Sequence, residues 1–116
     1  MAEFVEVYRK GELKEGAMKA VNVAGHEVLL ARVVDKYYAG DNRCPHMGGK
    51  LSQGKLEGTV VTCPRHGSKF ELRDGQVVRW LKRSGFLSRV GKALKSPRSL
   101  ATYNVKVEDD RIWIEI

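Results

Sequence analysis

The residues best equipped for chemistry are two cysteines and two of the three histidines, gathered in two short groups. The first is Cys44-Pro45-His46, and the second is Cys63-Pro64-Arg65-His66-Gly67-Ser68. Sixteen residues separate His46 from Cys63, so the pattern is C-x-H followed by C-x-x-H. Two thiolates and two imidazoles suit a tetrahedral zinc ion. They equally suit a [2Fe–2S] cluster with both cysteines on one iron and both histidines on the other. The usual zinc-finger order places two cysteines together and then two histidines. Here each group supplies one of each, which favours a two-metal core. Gly48, Gly49 and Gly67 would let backbone N–H groups approach bridging sulfides, and Pro45 and Pro64 would stiffen both loops.

The elements that must position these groups read as short β-runs punctuated by Gly, Asp and Asn. Strands are expected over Phe4–Tyr8, Met18–Val23, His26–Val34, Tyr37–Ala39 and Thr59–Thr62, with turns at 11–16, Ala24-Gly25 and Gly40-Asp41-Asn42. Two further hairpins are expected. One joins Lys69–Leu72 to Gln76–Val78 around Asp74-Gly75, and the other joins Tyr103–Glu108 to Arg111–Ile116 around Asp109-Asp110. This rhythm predicts an all-β sandwich or barrel. The chain of 116 residues fits one domain.

One segment breaks the rhythm. Over Trp80–Lys95, Phe86, Leu87, Val90, Ala93 and Leu94 approximate one helical face, which predicts a short helical insertion within 80–98 that Pro97 would end. The segment also explains the net charge of +7. From residue 79 to residue 98 lie Arg79, Lys82, Arg83, Arg89, Lys92, Lys95 and Arg98 with no Asp or Glu, while the remaining 14 basic and 14 acidic residues cancel. Its plainest role is a solvated amphipathic insertion. A docking element for an acidic redox partner and adhesion to an anionic membrane are the alternatives. No reading motif for nucleic acid accompanies the charge. No apolar run reaches transmembrane length and no secretory signal opens the chain, so a cytoplasmic location is expected. Two cysteines in that compartment are metal ligands or thiols rather than a disulfide.

The stretch Cys44-Pro45-His46-Met47-Gly48-Gly49, with Cys63-Pro64-Arg65-His66-Gly67-Ser68-Lys69-Phe70, closely resembles the Rieske ferredoxin family. The resemblance runs on through Leu51-Ser52-Gln53-Gly54 and Glu71-Leu72-Arg73-Asp74-Gly75, covering about residues 40–79. It implies that Cys44 and Cys63 bind the inner iron of a Rieske cluster, and His46 and His66 the outer, solvent-near one. It further implies a small cluster-binding subdomain (about 40–79) on a larger antiparallel β base, with 80–98 as an insertion in a single domain over 1–116. Gly48, Gly49, Gly67 and Ser68 would line the cluster. Met47 and Arg65, with Lys82, Arg83, Arg89, Lys92 and Lys95, would face a partner.

The resemblance implies a one-electron carrier rather than an enzyme, passing electrons from a reductase to an oxygenase or similar acceptor. A small Rieske subunit of a larger reductase, such as nitrite reductase, is an alternative, as is a zinc-stabilised interaction module. The chain lacks a further carboxylate-and-histidine set for a mononuclear iron and the length for an oxygenase catalytic domain. His26 reads as a surface or capping residue, and Trp80 and Trp113 as packing residues rather than electron relays.

Neutral imidazoles leave an oxidised Rieske site near neutrality, so an added electron costs less than at an all-cysteine site and the potential rises. High-potential relatives add a disulfide between the two loops, at positions held here by Gly49 and Arg65. They also carry a tyrosine where this chain has Phe70. A potentiometric titration is therefore expected to give roughly −150 to +50 mV, low in a family span of about −150 to +300 mV; a midpoint above about +200 mV would contradict it.

Overall fold

A computed structural model describes residues 3–45, 48–65, 67–79 and 99–116. His46, Met47, His66, Trp80, the helix expected within 80–98, and the basic residues Lys82, Arg83, Arg89, Lys92 and Lys95 lie outside the described residues.

The described chain is all-β. Eleven strands run in order: β1 (Phe4–Arg9), β2 (Met18–Val23), β3 (His26–Val33), β4 (Lys36–Asp41), β5 (Lys55–Glu57), β6 (Val60–Thr62), β7 (Lys69–Glu71), β8 (Val77–Arg79), β9 (Thr102–Tyr103), β10 (Val105–Glu108) and β11 (Arg111–Glu115). Single 3₁₀ turns occupy Lys10–Glu12 and Leu51–Gln53. The strands form three antiparallel sheets, ordered β1-β11-β10, β2-β3-β4-β9 and β5-β6-β7-β8. The first two sheets form the base, and the third, short-stranded sheet carries the second cysteine group.

The strand β3 joins these parts. Side chains alternate across a strand, and on most antiparallel strands only one face is apolar. Here Val28, Leu29, Leu30 and Ala31 are all fully buried. Val28 and Leu30 enter a core with Leu13, Val23, Ala39, Ile112 and Ile114. Leu29 and Ala31 face the other way, into a core with Leu51, Val61, Phe70, Leu72, Leu100 and both cysteines. The unbroken apolar run in the sequence thus reflects burial on both faces.

The two tight hairpins behave as their sequences require. Ala24-Gly25 and Asp109-Asp110 carry φ values of 51° and 86°, and of 54° and 62°, the doubly positive pattern of a type I′ turn. Three expectations need correction. Gly40 and Asp41 are not a turn: they extend β4, where Gly40 pairs with Leu29 and Thr102, and Asp41 with Val28. The expected strand 103–108 is two strands, because the chain leaves β4 and crosses to β11 at Asn104. There Asn104 Nδ2 donates to Glu115 Oε1, and Glu115 N–H donates to the Asn104 carbonyl. Finally, β3 ends at Val33 rather than Val34.

Val34 instead begins the β3–β4 turn with φ 57° and a side chain 58% exposed. A β-branched residue is strained in that region, and its exposure returns little in burial. Val34→Asn is expected to stabilise the fold by about 1 kcal/mol, read as a raised thermal midpoint; an unchanged or lowered midpoint would contradict the strain.

Candidate metal centre

Each cysteine opens a six-residue loop closed by a strand pairing. The first loop, 44–49, is bounded by the Arg43–Lys50 bridge. The second, 63–68, is bounded by the Thr62–Lys69 pair of β6 and β7. Both loops fold by the same hydrogen bonds. Cys44 N–H donates to Gly49 O (2.8 Å), and Cys63 N–H to Ser68 O (2.7 Å). Gly48 N–H donates back to Cys44 O (2.8 Å), and Gly67 N–H to Cys63 O (3.1 Å). The fifth residue of each loop is a glycine at φ 75° or 76°, which an L side chain would strain. Aligned this way, both loops read Cys-Pro-x-x-Gly, with histidine third in one and fourth in the other. The shared x-x-Gly spacing was present in the sequence and would have revealed the common turn.

The loops meet at Gly49. A Cβ built there would lie 2.9 Å from Cys63 Sγ, 2.9 Å from Arg65 Cγ and 3.0 Å from Arg65 Cδ. The first loop's backbone therefore lies directly against the second loop's thiol and the aliphatic stem of Arg65. The cysteines are each 2% exposed, and no disulfide joins them. Gly49 and Gly67 are buried, Ser68 is fully buried, and Arg65 is exposed. Packed glycines, paired buried thiols and matched turns fit a two-iron, two-sulfide group.

Asn42 anchors the first loop and is a residue that sequence reasoning assigned only to a turn. It is fully buried. Its backbone N–H donates to Glu27 O (3.2 Å), and its carbonyl accepts from Leu51 N–H (2.8 Å). Its Nδ2 donates to Glu27 Oε1 (2.7 Å), and its Oδ1 accepts from Ser52 N–H (2.7 Å). The adjacent Asp41 accepts from the Tyr103 hydroxyl at 2.5 Å. Burial, then this bond and the nearby carboxylate charge, push the Tyr103 phenol up to about 12, so it stays protonated across ordinary pH. On the second loop, Arg79 Nε donates to the Gly67 carbonyl at 3.1 Å.

The other sequence expectations divide. Arg65, expected to face a partner, is exposed with its stem against Gly49. His26 is exposed at the start of β3. Trp113 packs on the outer face of its sheet, where Lys106 Nζ lies 5.5 Å from its ring and 4.8 Å from that of Phe4. Tyr37 is a buried strand residue. No helix among the described residues is long and apolar enough to cross a membrane.

Two substitutions test this construction. Gly49→Ala is expected to lower iron content and thermal midpoint together, because the new methyl group would have to displace Cys63 or Arg65. Asn42→Ala removes two part-buried side-chain hydrogen bonds of a buried residue and should destabilise the fold by roughly 2 kcal/mol, seen in denaturant unfolding. Full iron loading with a wild-type midpoint in Gly49→Ala would show that the loops do not meet as described.

The comparisons with known proteins agree with this geometry. Residues 3–103 match the Rieske [2Fe-2S] domain. The chain is 31% identical over 116 residues to the naphthalene 1,2-dioxygenase system ferredoxin component of Pseudomonas putida, covering 98% of this chain and 96% of that one. Its fold is similar to the ferredoxin of carbazole 1,9a-dioxygenase from Nocardioides aromaticivorans, with a TM-score of 0.79 at 26% identity, covering 96% of this chain and 95% of that one. It is also similar, with a TM-score of 0.76 at 25% identity and covering 96% and 91%, to a chain in a complex of reduced oxygenase and oxidised ferredoxin in carbazole 1,9a-dioxygenase. With matched cysteine loops, an all-β scaffold and this family match in agreement, the chain belongs to the Rieske [2Fe–2S] family and carries that family's cluster.

Proposed function

We propose that this protein relays single electrons from a reductase to the terminal oxygenase of an oxygenase system. In this reading, Cys44 and Cys63 hold one iron and His46 and His66 the other. The observation that carries it is the pair of Cys-Pro-x-x-Gly loops, closed by the same backbone hydrogen bonds and meeting at Gly49, in a chain matched over nearly its full length by a ferredoxin component. The bound cluster supplies reversible one-electron chemistry.

The protein's own residues supply the rest. Burial of both thiols keeps water from the inner side of the site, and a drier site strengthens hydrogen bonds to the sulfurs. Gly48 and Gly67 permit the tight turns, and Gly49 permits the contact between loops. Asn42 and Tyr103 fix the end of β4, so that little rearrangement of the scaffold accompanies electron gain or loss. We also place the cluster-binding part within about 40–79 of a single domain. The cytoplasm, where a pair of reduced buried cysteines persists, is its proposed compartment.

The reading as a reductase small subunit has less support, since the relatives named above are ferredoxin components. The zinc-module alternative is set aside by the family's cluster.

Single variants Cys44→Ser, Cys63→Ser, His46→Ala and His66→Ala should each lose the visible absorption of the oxidised protein and the rhombic EPR signal of the reduced one. Wild-type protein should restore turnover to a mixture of a dioxygenase reductase and terminal oxygenase lacking its own ferredoxin. A variant retaining both signals would remove that residue from the ligand set. A fully loaded wild-type protein that accepts no electron from any reductase tried and passes none to an oxygenase would overturn the relay.

A further inference from the structure

Among the described residues, three arginines touch the two loops directly. The Arg43 guanidinium lies over the first loop, its Nε 3.1 Å from where a Cβ on Gly48 would stand. The Arg65 stem packs on Gly49, and the residue is exposed. Arg79 binds the Gly67 carbonyl. They come from three different places: the neck of the first loop, the second loop itself and the end of β8. Among the described residues none of the three has a carboxylate within 4.0 Å, whereas nearby Lys50 lies 3.9 Å from Glu27. Neither loop contains Asp or Glu.

We infer that Arg43, Arg65 and Arg79 form a cationic collar around the cluster loops, which receives the acidic face of a partner protein. The inference rests on the electron-carrier reading and adds the chemistry of the partner. Unpaired surface charge of one sign steers an oppositely charged partner and raises its encounter rate. A lipid surface fits less well, because membrane adhesion needs apolar side chains beside the charge. Among the described residues the exposed large apolar side chains are Phe4, Val34, Val78 and Val107, and none belongs to either loop.

The collar also has a counterpart for comparison. Lys10, Lys14 and Lys36 are exposed near the far end of β3, where Val33 pairs with Lys36. The first loop leaves from the near end, where Val28 pairs with Asp41. Five residues of strand span about 17 Å, more than a Debye length at physiological salt.

The test uses the full-length, cluster-loaded protein, checked first by visible absorption and EPR. Reduced protein is mixed in stopped flow with ferricyanide, which takes one electron to become ferrocyanide, or with the cationic oxidant tris(phenanthroline)cobalt(III), which takes one electron to become cobalt(II). The variants are Arg43→Gln/Arg65→Met/Arg79→Gln and, as control, Lys10→Gln/Lys14→Gln/Lys36→Gln. Arg65→Met keeps an aliphatic stem on Gly49 while removing the charge. The collar predicts that ferricyanide oxidation slows as salt rises, and slows on the order of tenfold in the arginine variant at low salt. Polyglutamate should protect the wild type from ferricyanide but not the arginine variant, and oxidation by the cobalt complex should not slow. Equal losses in the lysine variant would assign the effect to net charge and overturn the collar. So would binding to phosphatidylserine vesicles that only the arginine variant loses, which would make the partner a membrane. A protein without iron–sulfur absorption would overturn the electron-carrier reading first, and the collar with it.

Discussion

The structure depends on β3 being buried on both faces. An antiparallel strand usually separates a core from water, but this one separates two cores. Its Val28/Leu30 face closes the base against Ile112 and Ile114, and its Leu29/Ala31 face receives Cys44, Cys63, Phe70 and Leu100. A register slip of one residue would exchange these faces, placing residues chosen for one core in the other. The register of β3 therefore aligns base and metal centre together, and its pairing with β4 sets where the first loop begins.

From that platform the two loops reach the same closing hydrogen bonds by different routes. One hangs between β4 and the Leu51–Gln53 turn, clamped by Asn42; the other spans the β6–β7 hairpin. Their equal length and matching backbone hydrogen bonds suit a two-iron group held between them. The interface between them is noncovalent. Where a disulfide would need side chains from both loops, Gly49 offers only backbone, and the Arg65 stem fills the space beside it. This leaves the loops without a covalent brace, and the Arg65 stem packs there while the residue stays exposed.

Charge and burial divide the site into two sides. The inner side is apolar and closed, built from Leu51, Val61, Phe70 and Leu72 around the thiols. The outer side carries Arg43 and Arg65 in solvent. That division suits a group that must be protected from water yet approached by another protein, since short-lived electron-transfer encounters rely on charge for speed more than on buried area for affinity.

The candidate ligands were legible in the sequence, because cysteine and histidine are scarce in it and their spacing is local. Four residues in two short groups, with glycines and prolines beside them, mark the proposed donor set without reference to distant parts of the chain. It also determined the type I′ hairpins at Ala24-Gly25 and Asp109-Asp110, where few residues tolerate positive φ. The tertiary structure alone decided what depends on partners far away in the chain. Gly40 and Asp41 look like a turn in isolation and become strand because Leu29 and Val28 of β3 pair with them, with Thr102 beyond Gly40 on the other side. The β9–β10 break at Asn104 exists because β9 pairs with β4 of one sheet and β10 with β11 of another. The contact of Gly49 with Cys63 and Arg65, and the gathering of Arg43, Arg65 and Arg79 around the loops, follow from how three sheets pack, and no local pattern encodes such distances.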